Sequence, residues 1–332
     1  LDYKSKILSL FHTDSDVTFE EIALSIYDEQ SKSNSTYKRY QDLLKIDPST
    51  VNSLQGIPYL PISLFKQYEV KTGSWLSDKY FLSSGTSDIK NRSRHIVRDL
   101  DWYHTISDAI YQYFYPDTDS VIFGLLPNYI ENEHSSLIHM VKHLAESNND
   151  SPFYLDNFEA LYNDLLFTLN LGSTQSITLF GVTFALLDFA EKFQISDERL
   201  RIIFTGGMKR RGEELAFSSV VEKLRDGFPS SSIDAEYGMT ELFSQAYSIA
   251  GSRYMPARSM RVVCQELNDV MCRAKYCKTG QLALIDLANF DTQSFILTED
   301  LGRCYADGSF ELLGRVSSSD LRGCSMMYAP IE

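Results

Sequence analysis

The sequence is short of positive charge, of paired cysteines and of long apolar runs, and each shortage removes a class of function. Lys and Arg number 31 against 45 Asp and Glu, a net charge of −14. Such a chain repels polyanions, so it is not expected to bind nucleic acid or an anionic membrane surface nonspecifically. No apolar stretch approaches the roughly 18 to 20 residues that cross a bilayer. The opening LDYKSKILSLF is too polar and too short for a secretory signal. A cytoplasmic protein with no membrane span is the expectation. Cys264, Cys272, Cys277, Cys304 and Cys324 are odd in number and lack C-x-x-C spacing, which disfavours a disulfide framework or a zinc module. No HExxH pattern occurs among the 6 histidines. His139 and His143 stand four apart on one face of a predicted helix, where a metal is conceivable, and His139 could instead line an acyl or nucleotide pocket.

What is present is an ordinary soluble composition, 43% hydrophobic and 23% charged, without repeats or low-complexity tracts. A chain of 332 residues exceeds the roughly 250 to 300 at which a single core stops growing, so two to three lobes are expected. Apolar residues at helical spacing in FEEIALSIYDEQ and YKRYQDLLKI predict helices over the first 50 residues or so. An extended connector rich in Pro and Gly follows. Strand and helix then alternate, with SVIFGLLP, SITLFG, RIIFTGG and SSIDAEYG as strands between helical segments. This alternation predicts α/β layers on a largely parallel sheet. Beyond about residue 245 the helical period fades into short strands, MRVVCQEL, QLALIDLA, QSFILT and SFELLG, separated by turn residues. The division expected is α/β lobes with N-terminal helices over 1–245 and a smaller β-rich lobe over 246–332.

Three motifs carry chemistry. In FLSSGTSDIKNRSRH, Ser83, Ser84, Gly85, Thr86 and Ser87 put four hydroxyls and a flexible residue after the strand end at KYFL. Gly lets backbone N–H groups turn toward an anion, and hydroxyls donate to phosphate oxygens. The second Gly and Lys of a Walker A loop are absent, and alone the run also reads as a solvated turn. Lys90, Arg92, Arg94, His95 and Arg98 add local positive charge. In EYGMTE, Tyr237 can stack on a base, Thr240 can bind phosphate and Glu241 offers an oxygen to Mg²⁺. The segment from Ile296 to Ser325 contains Asp300 and Arg315, which could hold ribose hydroxyls or simply sit in hairpins.

In order, S-S-G-T, the pair Gly206 and Gly207, Y-G-M-T-E, and T-E-D-L-G-R followed by G-R resemble the adenylate-forming superfamily of acyl-CoA synthetases. The match runs from about residue 55 to the end. Within it, IPYLPISLFK, EHSSLIHMVKHL, FTGGMKRRGEEL, YGMTELFSQAYS and IDLANFDTQSFILTEDLGR most resemble the acyl-protein synthetases of bacterial luciferase operons, the long-chain-fatty-acid luciferin-component ligases. The resemblance implies an acetyl-CoA synthetase-like N-terminal region, two layered α/β lobes plus a smaller β-rich lobe, lacking the usual mobile C-terminal domain. It implies ATP and Mg²⁺ as cofactors and a carboxylic, fatty acid as substrate. Ser83 to Ser87 would hold the triphosphate with Lys90 nearby, and Gly206 and Gly207 would lie close to the nucleotide. Tyr237, followed by Gly238 and Met239, would pack on adenine. Thr240 would bind the α-phosphate, Glu241 the metal, and Asp300 and Arg315 the ribose. Cys324 would accept the acyl group before it passes to a protein partner such as a reductase or carrier, and the other four cysteines read as buried. An acyl-CoA ligase, and a nucleotide- or acyl-binding protein without turnover, are the alternatives. Asp88 departs from the superfamily loop, which has Gly there, and Lys90 is close enough to pair with it.

Overall fold

The computed structural model describes residues 2–12, 17–83, 92–116, 120–126, 133–146, 153–171, 174–206, 215–249 and 251–316. The chain forms two compact units, one of residues 1–76 with 258–332, the other of residues 77–257.

The first unit opens with helices α1 (Tyr3–Ser9), α2 (Phe19–Ser33) and α3 (Ser35–Leu43). Thr18 and Glu21 cap α2 reciprocally, each side chain bonding the other's backbone N–H. After 3₁₀ turns comes β1 (Leu60–Pro61).

The second unit begins with a hairpin of β2 (Tyr80–Leu82) and β3 (Arg94–Ile96). Then α4 (Leu100–Phe114), β4 (Val121–Leu125), α5 (Ser136–Glu146), β5 (Phe153–Tyr154), α6 (Phe158–Asn170), β6 (Ile177–Val182), α7 (Thr183–Ala190), β7 (Leu200–Thr205), α8 (Phe217–Gly227) and β8 (Ser232–Tyr237) follow, as the alternation predicts. β9 (Ala246–Ser248) and β10 (Met255–Pro256) complete a sheet of order β10-β9-β8-β7-β6-β4-β5. Its members from β8 to β5 are parallel. All six residues of β6 are buried, as expected of a central strand in a parallel sheet covered on both faces. In register, Leu125 lies opposite Gly181, Val182 opposite Thr205 and Thr205 opposite Glu236. The carboxyl ends of β4, β6, β7 and β8 therefore share one edge, where open α/β sheets bind ligands.

The chain returns to the first unit with β11 (Met260–Glu266), β12 (Asp269–Arg273), β13 (Thr279–Asp286), β14 (Phe295–Cys304) and β15 (Phe310–Arg315). These pair antiparallel around β14, while β1 joins β14 in parallel, Leu60 opposite Ile296. Buried amides bind the N-terminal helices to the segment between β13 and β14. Gln30 Nε2 donates to the carbonyls of Asn289 and Phe290 at 3.3 and 3.2 Å, and Gln30 Oε1 accepts from the N–H of Ser294. Asn34 Nδ2 and Thr72 Oγ1 donate to the Thr292 carbonyl at 2.8 and 2.7 Å. The sequence boundary at 245 thus differs from the observed division, which groups residues 1–76 with the C-terminal strands and begins their return at residue 258.

Candidate active site

The carboxyl edge of the parallel sheet carries the first group of candidate residues. β7 ends at Thr205, and Gly206 takes φ +68°, a left-handed conformation that Gly adopts without steric cost. Among the described residues, a Cβ at Gly206 would meet nothing within 4 Å. Thr183 Oγ1, at the start of α7, donates to the Gly206 carbonyl at 2.6 Å and fixes the turn from the neighbouring strand end. β8 ends at Tyr237, and the chain turns through Gly238, Met239, Thr240 and Glu241. The Tyr237 ring is buried 5.9 Å from that of Tyr254. Thr240 is half-buried and Glu241 buried.

Glu236, the residue before Tyr237, has no role in the sequence reading. Its Oε2 accepts a short hydrogen bond from Thr205 Oγ1 on the adjacent strand. A Cβ on Gly238 would collide with its Oε1, so only Gly fits there without displacing the carboxyl. Complete burial pushes the Glu236 carboxyl up to about 7, against the opposing effect of the Thr205 bond.

The hairpin adjoins this turn through one hydrogen bond. Phe81 and His95 are cross-strand partners with buried side chains. His95 Nδ1 lies 2.8 Å from the Thr240 carbonyl. A carbonyl can only accept, so Nδ1 carries the proton. Burial lowers the His95 imidazole to about 4, more than the Thr240 bond raises it. His95 is neutral at pH 7, which corrects its reading as local positive charge. Phe243 packs on it, ring centroids 5.0 Å apart. Ser83, at the loop entrance, accepts at its Oγ from the N–H of Ser93 at 2.9 Å.

In the first unit, Asp300 and Arg315 face each other across β14 and β15, with Arg315 Nε donating to Asp300 Oδ1 at 3.0 Å. Ser84, Gly85, Thr86, Ser87, Asp88, Lys90, Gly207 and Cys324 lie outside the described residues. Cys264 and Cys304 are buried, their Sγ atoms 3.2 Å apart, but Cys272 and Cys277 are exposed. The expectation of burial is corrected for these two: Cys272 lies on β12, an edge strand, and Cys277 in the turn after it. His139 is held by the Glu133 carbonyl at 3.0 Å, and His143 by Asp108 at 2.7 Å. Among the described residues no group of three or more His, Cys, Asp or Glu is placed to hold a metal ion. No described helix is long and apolar enough to cross a membrane.

No protein-family model matches the chain, and no curated protein matches it. Solved structures do. The ATP-bound MatB of Rhodopseudomonas palustris aligns over 71% of this chain and 47% of its own, with TM-score 0.54 and 13% identity. The O-succinylbenzoate coenzyme A synthetase of Bacillus subtilis, in complex with ATP and magnesium ion, aligns over 74% and 53%, with TM-score 0.50 and 15% identity. The amide bond synthetase McbA of Marinactinospora thermotolerans aligns over 71% and 48%, with TM-score 0.50 and 13% identity. The fold is that of adenylate-forming enzymes. The chain spans about half the length of the structures it matches.

Proposed function

We propose that the protein activates a carboxylic acid with ATP, forming an acyl adenylate and pyrophosphate. One observation carries this reading most directly. The β2–β3 hairpin and the Y-G-M-T-E turn are joined by the hydrogen bond from His95 Nδ1 to the Thr240 carbonyl, 145 residues apart, beside the Gly206 turn at the carboxyl edge of the sheet, where open α/β sheets bind ligands. Two of the fold relatives were solved with ATP, one also with magnesium.

In this reading an oxygen of the acid bonds to the α-phosphorus while the bond from that phosphorus to the β-phosphate oxygen breaks, its electron pair leaving on pyrophosphate. Two anions must approach, so fixed donors are needed to offset their repulsion. The Thr240 hydroxyl is assigned to the α-phosphate, with its backbone fixed by the neutral His95. Glu241 is a carboxylate donor of the kind Mg²⁺ prefers, and the ion would neutralise phosphate charge there. Ser83 to Ser87 and Lys90 are assigned to the triphosphate, Tyr237 to adenine, and Asp300 and Arg315 to the ribose hydroxyls. The acid is a fatty acid; the Cys324 thiolate attacks the acyl carbonyl of the adenylate, forming a thioester as the bond to AMP breaks and AMP leaves, and a nucleophile of the protein acceptor then takes the acyl group and frees the Cys324 thiol. Both finer assignments rest on the sequence resemblance to acyl-protein synthetases.

The test is pyrophosphate release with ATP, Mg²⁺ and acids of graded chain length. Release with long-chain acids is expected, and its loss in Glu241→Gln. An intact-mass acyl adduct that survives Cys324→Ser removes Cys324 as the acceptor. Product formation that requires CoA replaces protein transfer with CoA ligation.

A further inference from the structure

Two arginines lie where the chain enters β3, the strand that follows the hydroxyl-rich segment in sequence. Arg92 lies in a bend two residues before β3, and Arg94 opens the strand, its side chain leaving one side of the hairpin. The opposite side carries Phe81 and His95, which are buried. Neither arginine has an acidic partner among the described residues, although the chain has 14 more acids than bases. Arg92 Nε is buried with no hydrogen-bond partner among the described residues. A buried guanidinium nitrogen left unsatisfied calls for a missing acceptor.

Arg94 is exposed, yet it is positioned. Its guanidinium carbon lies 4.4 Å from the centroid of the Tyr80 ring. Tyr80 pairs with Ile96 and Arg94 with Leu82, so the two are diagonal neighbours on one face of the hairpin. Tyr80 is itself stacked on His134, centroids 4.1 Å apart and planes 19° apart. The His134 carbonyl accepts from the Leu82 N–H at 2.9 Å, which ties that residue's backbone to the hairpin. An aromatic ring held between strand and loop thus restrains a guanidinium one cross-strand pair from Ser83. A planar guanidinium with restricted rotamers suits bidentate phosphate recognition.

We propose that Arg92 and Arg94 bind the β- and γ-phosphates of the nucleotide and hold the pyrophosphate as it leaves, with Tyr80 and His134 positioning Arg94. This rests on the adenylate-forming reading for the nucleotide but not for the acid or its acceptor. When the α-phosphorus to bridging-oxygen bond breaks, charge accumulates on pyrophosphate, and two guanidinium groups stabilise it without transferring a proton.

The experiment compares ATP, AMP and inorganic pyrophosphate binding by calorimetry in the full chain, alongside pyrophosphate release. Arg94→Gln is expected to weaken ATP and pyrophosphate about 10- to 100-fold, as loss of a charged hydrogen bond does, while AMP changes less than about 2-fold. Arg94→Lys, which keeps charge but not the planar fork, should fall between. Arg92→Gln should show the same preference for ATP over AMP in its loss. Tyr80→Leu should reproduce part of the Arg94 defect, and Tyr80→Phe, which keeps the ring, should not. Equal losses for ATP and AMP would mean a structural role, for instance pairing of Arg94 with Asp88, and would overturn the proposal. So would unchanged ATP binding in both arginine variants, or a wild-type protein that binds neither ATP nor pyrophosphate. A wild type that binds ATP with this arginine dependence yet releases no pyrophosphate with any acid sinks the activity and leaves the phosphate site standing.

Discussion

The Tyr237 to Glu241 turn and the Asp300 and Arg315 pair hold polar groups by opposite means. Around the turn, Glu236 and His95 are fully enclosed and neutral in their favoured states, one pushed up to about 7 and the other down to about 4 by burial. In the sheet of the first unit two ions face each other, Asp300 buried and the Arg315 side chain 68% exposed. Enclosure makes the turn's geometry depend on packing and protonation. With its cationic partner largely in solvent, such a pair adds little to stability, so Arg315 can serve a ligand at small structural expense.

The largest effect should come from breaking the enclosed side. His95→Ala removes a ring packed against Phe81 and Phe243 and leaves the Thr240 carbonyl without this donor. Aromatic truncation in a core costs about 3 to 5 kcal/mol. His95→Asn keeps an N–H near the Nδ1 position and should recover part of that loss. Urea melts of the two variants at pH 7.5 measure it, and a cost below about 1 kcal/mol for the Ala variant would show that the imidazole does not hold the turn. The pH dependence has a definite sign. The folded His95 value lies below the ordinary 6.5, so its contribution is complete above about 6.5 and is lost as pH falls toward 4.

Glu236 should act in the opposite direction. Its folded value of about 7 lies above the ordinary 4.5, so the unfolded chain releases the proton first as pH rises. Its contribution is complete below about 4.5 and lost by about 7, a change of about 3 kcal/mol at 1.36 kcal/mol per pKa unit. Glu236→Gln keeps an acceptor for Thr205 and has no charge to lose. Relative to wild type it should therefore gain stability between pH 5 and pH 8 by roughly that amount. Parallel stability profiles over this range would show that Glu236 is already ionised in the folded protein. His95 and Glu236 titrate with opposite slopes over nearly the same interval, so the wild-type profile should be flatter than that of either variant.

Much of this architecture was legible because long periodic segments leave little choice. The apolar runs SVIFGLLP, SITLFG and RIIFTGG became β4, β6 and β7, since buried parallel strands read as continuous hydrophobic stretches. β5, β9 and β10 escaped because strands of two or three residues carry no period. β3 was hidden in a cationic stretch, and residue type alone made His95 look charged where enclosure makes it neutral. The Thr205 and Glu236 contact joins residues 31 apart on adjacent parallel strands, and the sole trace of it was an acid at the start of EYGMTE. The grouping of the N-terminal helices with the last strands depends on Gln30 and Asn34 reaching backbone groups some 260 positions away. Periodicity and turn residues report local order and are silent about such bonds.

The smallest stability effect belongs to Arg315, the exposed partner of that pair, and it sharpens the contrast most. Arg315→Gln should change unfolding free energy by at most about 1 kcal/mol, because the guanidinium is largely in solvent and backbone pairing of β14 with β15 does not depend on it. Under the proposed function it should nevertheless weaken ATP binding several-fold, and weaken AMP equally, because both carry the ribose. This is the reverse of the pattern expected at Arg94, where ATP and AMP separate. An Arg315→Gln variant that loses stability by 3 kcal/mol or more would place the pair among the enclosed polar groups. One that keeps both stability and nucleotide affinity would leave Arg315 as an ordinary strand-end charge, and the ribose would need another partner.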